Sequence, residues 1–296
     1  MNDYLLAVVL GVIEGVTEFL PVSSTAHLRI SEALFGMDLS DGYWKMFSIV
    51  IQLGAILCLP IYFWKRILDF IWTFPRGLRG DGTVFTHPLT LTFMAFVCTA
   101  GPAYLLTKVI GKHLEDVRLM AIALIAGGIV MIVIDKIYDA GRGIRFFTGR
   151  ITEQMEEMRP WQAIWIGICQ ILSAVFPGTS RSMSTIAAGQ LAGMTRTAAL
   201  EFSFFLSIPT MLAATGYDLL KTLKADKAGA AVEGLGTVHM DQHGWTLLII
   251  GGAVSFVVAL AVVAWFMNWV RKHGFVPFGI YRIILGIAVW IWLGRG

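Results

Sequence analysis

The sequence predicts an all-α polytopic membrane protein, an inverted-topology repeat with about six transmembrane helices plus two re-entrant helix-loop-helix elements. Three observations lead there. The composition suits lipid: 56% of the 296 residues are apolar, 15% are charged and the mean hydropathy is +0.71, whereas an ordinary soluble domain is about 25% charged. Six runs long enough to cross a bilayer are almost free of charge. Two shorter apolar runs each stop at a proline and continue as a hydroxyl-rich stretch.

The six predicted spans are 47–64, 89–107, 119–134, 202–217, 246–270 and 277–293. The two shorter runs, 5–20 and 161–176, end at Pro21 and at Pro177 with Gly178. The stretches beyond these breakers, 22–35 and 179–193, are too short and too polar to cross a bilayer, but each opens with Ser or Thr residues suited to capping a new helix. Each region therefore reads as a helix in, a break, and a half-helix back out. Interrupted backbone at membrane depth is tolerated only where protein buries it or a cavity adjoins it, so the two breaks are the candidate sites.

An offset of 156 positions places Gly11 on Gly167, Glu14 on Gln170, Pro21 on Pro177, Ser23 on Thr179 and Ser24 on Ser180. The chain is thus expected to form a single integral membrane domain, 1–296, with repeat halves 1–140 and 160–296. Each half carries one re-entrant pair and three spans, and an odd number of crossings inverts the second half relative to the first. In such folds the broken elements meet near the midplane, which predicts that residues 14–27 face residues 179–185. Loop Lys and Arg residues number eleven on one side and eight on the other. The bias places the richer side in the cytoplasm and both termini outside, with the first pair opening outward. Residues 142–159 then form a solvated cytoplasmic connector and 221–244 an external loop, with His239 and His243 as bystanders.

A net charge of +3 excludes a nucleic-acid reader, which needs a basic surface. Cys58, Cys98 and Cys169 lie within apolar stretches without metal-ligand spacing and read as core residues. No cleavable signal peptide is expected, because the first four residues lack a basic region and Glu14 and Glu18 interrupt the apolar run after them.

Those two glutamates stand four apart, on one helix face. In an apolar run they need a proton, a cation or an arginine partner, unless they merely reach an interface. Ser24 and His27 are three apart on the first turn of a half-helix whose N–H groups suit phosphate; the plainer role of Ser23 and Ser24 is capping. The second break brings Arg181, whose planar fork suits a phosphoryl group as well as a buried carboxylate. Two carboxylates, a Ser/His pair and an arginine beside two helix N-termini supply a nucleophile, a base and donors for equatorial oxygens, as phosphoryl transfer requires. No glycine-rich loop ends in Lys-Ser or Lys-Thr, which makes ATP an unfavoured substrate.

The stretch Glu14-Gly15-Val16-Thr17-Glu18-Phe19-Leu20-Pro21-Val22-Ser23-Ser24-Thr25-Ala26-His27, with Pro177-Gly178-Thr179-Ser180-Arg181-Ser182, resembles the undecaprenyl-diphosphate phosphatase (bacitracin-resistance protein) family. The likeness runs the whole length, through Gln52-Leu53-Gly54, Glu201-Phe202-Ser203-Phe204 and Pro277-Phe278-Gly279-Ile280-Tyr281-Arg282. It implies hydrolysis of undecaprenyl diphosphate to the monophosphate in a bacterial inner membrane, recycling the carrier for cell-wall synthesis, with the site facing the outside. It further implies catalytic roles for Glu14, Glu18, Ser24, His27 and Arg181. Thr25, Ser180 and Thr185 are implied as well, and with Ser23, Thr179 and Ser182 of the same two breaks they are expected to bind phosphate; Glu14 and Glu18 are implied as oxygen ligands of a divalent cation, magnesium or calcium. Ala26 and Met183 stand where the family commonly has Gly, adding bulk beside the site. The expected partners are a polyprenyl diphosphate and membrane lipids; the sequence leaves a homodimer open.

Ser24 is expected to attack the terminal phosphorus while Glu18 or His27 takes its proton, with His27 itself as the rival nucleophile. Lipid phosphatases related to vanadium haloperoxidases are disfavoured, because Ala187 stands where their motif after the arginine would need histidine. The rival of a different class is a polyprenyl-phosphate transporter or flippase, which shares broken helices and inverted repeats.

Overall fold

The structure, a computed structural model, describes residues 2–39, 41–76, 83–106, 116–139, 151–228 and 240–294. Within them are eleven α-helices and no strand, only an isolated bridge between Thr152 and Met194. The helices are α1 (Asp3–Thr17), α2 (Ser24–Leu34), α3 (Gly42–Tyr62), α4 (Trp64–Thr73), α5 (Pro88–Leu105), α6 (Val117–Asp139), α7 (Pro160–Val175), α8 (Arg181–Leu191), α9 (Arg196–Ala228), α10 (Gln242–Val270) and α11 (Val276–Leu293). Six are long and apolar enough to cross a membrane: α3, α5, α6, α9, α10 and α11. They coincide with the six predicted spans, each beginning one to six residues earlier than its charge-free run.

The earlier starts follow from capping. Asp41 accepts from the amides of Tyr43 and Trp44 at 2.8 and 3.2 Å and so starts α3. Asp241 accepts from Gly244 N at 2.7 Å and starts α10, and Pro88 and Pro160 occupy first turns, where a missing N–H costs nothing. Counting apolar residues skips these polar first turns.

Three expectations change. Residues 64–73 form a separate amphipathic helix, α4, instead of ending a span and opening a connector: Arg66 binds Glu156 at 2.5 Å and Glu201 at 2.8 Å. The described part of the 142–159 connector is not simply solvated, because Met155 and Met158 are buried in the main core; residues 142–150 lie outside the described residues. The expected 221–244 loop is helical at both ends, since α9 runs on to Ala228 and α10 starts at Gln242. His243 there binds Asp3 at 3.2 Å, while His239 lies outside the described residues.

Helix pairing places the breaks. α1 packs on α10, α7 on α5 and α11 on α6, while α3 touches both α9 and α10. Glycines permit the tightest of these contacts: a Cβ on Gly11 would lie 2.6 Å from the Gly251 carbonyl, and one on Gly15 2.7 Å from that of Ser255. The segment between α1 and α2 is driven inward by its apolar residues, whereas in the segment between α7 and α8 Phe176 is exposed and Pro177 and Gly178 are buried. Phe19 is fully buried, edge-on to Phe204 at 5.3 Å, and Phe19, Leu20 and Val22 share one core cluster with Met183 and Ile186 of α8. At the far end of α6, the buried Asp135 carboxylate accepts from Arg196 Nε and Phe275 N, both at 2.7 Å, joining α6, α9 and the start of α11.

Candidate active site

The two half-helices begin alike. Ser23 caps α2 by accepting from Ala26 N at 3.4 Å, and Ser180 caps α8 by accepting from Met183 N at 3.3 Å. Both hold positive φ, 74° and 73°, and they are the two non-glycine residues among those described that do so. Such backbone costs on the order of 1–3 kcal/mol and persists where the surroundings impose it. Each cap carbonyl also takes two bonds from the residue four further on. Ser23 O accepts from His27 N at 3.2 Å and from His27 Nδ1 at 2.7 Å; Ser180 O accepts from Ser184 N at 3.0 Å and Ser184 Oγ at 3.1 Å.

This corrects the register read from sequence. The offset of 156 pairs Ser24 with Ser180, whereas the caps pair Ser23 with Ser180, because one more residue separates Pro177 from its cap than separates Pro21 from Ser23. Ser24 and Arg181 are therefore the matching first residues of the two half-helices. Both meet Glu18: Ser24 Oγ donates to Oε2 at 2.6 Å and Arg181 Nη2 to Oε1 at 3.0 Å. Ser182 Oγ donates to the Glu18 carbonyl at 3.1 Å. α8 thus holds the side chain and the backbone of Glu18 together.

Glu14 lies wholly buried one turn upstream, within electrostatic range of Glu18 and Arg181. Its carboxyl lies within hydrogen-bonding reach of that of Glu18, no other group donates to its two oxygens, and Arg181 Nε and Nη1 have no acceptor, all four atoms being buried. Unmatched acceptors and donors side by side are costly in a folded interior and are what a site lined for a charged ligand presents.

The remaining candidates divide. Thr25 is half-buried on the first turn of α2, and Thr179 directly precedes the Ser180 cap. Thr185 is turned toward α9, its hydroxyl 2.6 Å from Ser203 Oγ and 3.0 Å from the Arg181 carbonyl. His27 is anchored at both ring nitrogens. The Ser23 carbonyl accepts only, so Nδ1 carries the proton, and a neutral ring then accepts at Nε2 from Tyr281 OH, 2.7 Å away, with the rings stacked 5.6 Å apart. Tyr281 and its neighbour Arg282 were missed as site residues by the sequence reading. The signal was available: a lone arginine in the middle of an apolar span marks a functional position by its cost alone.

Fold and site together define a polytopic membrane protein with a serine, a carboxylate and an arginine buried where two helix breaks meet. Residues 7–288 match the family described as Bacitracin resistance protein BacA, and the chain belongs to that family. It is similar to a protein named Undecaprenyl-diphosphatase from Koribacter versatilis, 67% identical over 293 residues and covering 99% of each chain. Proteins of the same name from Rhizobium etli and Caldanaerobacter subterraneus are 42% identical over 290 residues and 39% over 289, covering 97% and 98% of this chain and 96% of each of theirs.

The positive φ at the caps has a measurable consequence. Ser180→Gly keeps a residue at ease in that conformation and is expected to stay within about 1 kcal/mol of the parent in detergent unfolding. Ser180→Val, β-branched at the same φ, is expected to lose about 2 kcal/mol or more. A valine variant as stable as the glycine variant contradicts the strain.

Proposed function

We propose that the chain hydrolyses undecaprenyl diphosphate to undecaprenyl phosphate and inorganic phosphate through a phosphoserine on Ser24, with Glu18 as the base. The observation that carries the mechanism is the 2.6 Å bond from Ser24 Oγ to Glu18 Oε2; the substrate rests on family membership and on the names of the relatives. As Ser24 Oγ forms its bond to the terminal phosphorus, its proton passes to Glu18 and the bridging P–O bond breaks. The electron pair of that bond leaves with undecaprenyl phosphate, which takes the proton from Glu18. Water, deprotonated by Glu18, then attacks the phosphoserine, and Ser24 Oγ departs with that proton.

The Arg181 nitrogens that lack partners suit the equatorial oxygens of the transferring group, where charge-assisted donors act most strongly. The first-turn amides of α2 add a helix N-terminus beside Ser24. His27 is the poorer base, since its nitrogens bond the Ser23 carbonyl and Tyr281 OH while the Ser24 hydroxyl goes to Glu18. Glu14, whose buried oxygens accept from no donor outside the acidic pair it forms with Glu18, would suit a hard divalent cation such as magnesium or calcium. Bound there, such a cation supplies positive charge to the phosphate oxygens.

The placement in the membrane follows the same reading. α1 with α2, and α7 with α8, are the two re-entrant pairs of halves 1–140 and 160–296, inverted relative to each other and opening to opposite sides. Support comes from matched contacts: Gly11 faces Gly251 on α10 as Gly167 faces Ala95 on α5, and Gly11 and Gly167 are themselves counterparts at the offset of 156 that aligns the helices leading into the two breaks. The site opens to the outer face of the bacterial inner membrane, and the polyprenyl tail stays in lipid, where each buried CH₂ contributes about 0.8 kcal/mol. A flippase would share this architecture but has no use for a hydroxyl bonded to a buried carboxylate.

Ser24→Ala is expected to lower phosphate release from undecaprenyl diphosphate in detergent by about 10³-fold or more. Substrate labelled in its terminal phosphate is expected to leave acid-stable phosphoserine after rapid quenching; phosphohistidine, or full activity in Ser24→Ala, contradicts the serine route. Chelation is expected to slow release about tenfold or more, reversibly on adding magnesium or calcium, and Glu14→Gln is expected to blunt that response. Activity indifferent to chelator contradicts the cation.

A further inference from the structure

Arg282 sits in the middle of α11, itself one of the six membrane-length helices, and is 0% exposed. A guanidinium at that depth is costly unless its donors are satisfied. No carboxylate among the described residues pairs with it. Its partners are backbone carbonyls instead. Nη1 donates to Pro21 O at 3.0 Å, in the first break. Nη2 lies 3.0 Å from both Gly178 O and Thr179 O, in the second break, and 3.1 Å from Ala123 O on α6. Nε reaches Leu124 O at 3.4 Å. Interrupting a helix orphans carbonyls of this kind, and one side chain here gathers those of both interruptions.

We infer that Arg282 is a positioning residue for the hydrolysis: it clamps the two breaks in register and so sets Ser24 and Arg181 on either side of Glu18. The inference rests on the phosphatase reading of the site. Pro21 is three residues from Ser24, and Thr179 two from Arg181, so a slip of either break is passed directly to a bond with Glu18 that is now 2.6 or 3.0 Å long. Displacements of about 1 Å in such constellations cost roughly 100-fold in rate. The planar fork of arginine reaches both breaks at once, which the compact ammonium of lysine does not.

The surroundings leave room for the clamp and no more. α11 and α6 touch through glycines: a Cβ on Gly128 would lie 2.6 Å from Gly279 O, and one on Gly279 2.8 Å from Gly128 O. A Cβ on Gly127 would fall on Arg282 Nη2 itself and 2.8 Å from Met183 Cε. Gly127→Ala therefore displaces the guanidinium without removing it.

The test uses the full chain in detergent, carrying Arg282→Lys or Gly127→Ala. Hydrogen exchange is followed in segments 19–28 and 176–186, with 46–58 of α3 as reference, alongside steady-state release of phosphate from undecaprenyl diphosphate. Both variants are expected to raise exchange in the two break segments together, about tenfold or more, and to leave the reference unchanged. kcat is expected to fall roughly 30- to 100-fold with KM within about threefold. Faster exchange in one break alone, a uniform rise along the chain, or kcat within about twofold of the parent overturns the clamp. If Arg282→Lys does not fold, Gly127→Ala decides by the same criteria. Absence of phosphate release from the parent itself would instead overturn the phosphatase reading, leaving the exchange data to judge the clamp.

Discussion

The structure depends on one shared carboxylate. Glu18, at the end of the first apolar helix, accepts Ser24 on one oxygen and Arg181 on the other, so a hydroxyl from the first half and a cation from the second meet on a single group. A buried carboxylate with no partner would be costly, and a buried arginine equally so. Bringing them together sets opposite charges against each other and leaves the serine hydroxyl aligned. The two breaks, their strained serine caps and the arginine clamp beneath them all serve to bring that meeting about.

The cluster is only partly self-satisfied. Two nitrogens of Arg181 remain buried without partners, and the Glu14 oxygens accept from nothing outside the acidic pair, a deficit that a protein selected for stability alone would remove. Open guanidinium donors beside a buried pair of carboxyls suit a ligand that is itself an anion accompanied by a cation. The apolar core around Phe19, Val22 and Met183 keeps the breaks in place while these groups wait, and the dry surroundings strengthen every interaction made there.

The spans and both breaks were legible in the sequence because their signals are local: charge-free runs have bilayer length, and prolines followed by serines stop one helix and cap the next. The acidic pair and the arginine could be named because charged residues in apolar runs are rare and need a reason. The features that stayed hidden depend on contacts distant in sequence. α4 reads as a mixed connector until Arg66 finds Glu156 and Glu201. The one-residue difference between the breaks cannot be seen by aligning serines, only by seeing which of them caps. Thr185 matches the family motif, yet the structure spends its hydroxyl on Ser203. Arg282 stands in a recognisable motif that does not disclose its role, since its partners lie more than a hundred residues away.

The central claim is that Glu18 and Arg181 act as one unit across the two halves. A double-mutant cycle on kcat/KM, with Glu18→Gln, Arg181→Met and the pair combined, measures it directly. The account predicts strong coupling, the double variant being no more than about threefold worse than the poorer single one. Losses that simply multiply would show that the two residues act independently, and would contradict it.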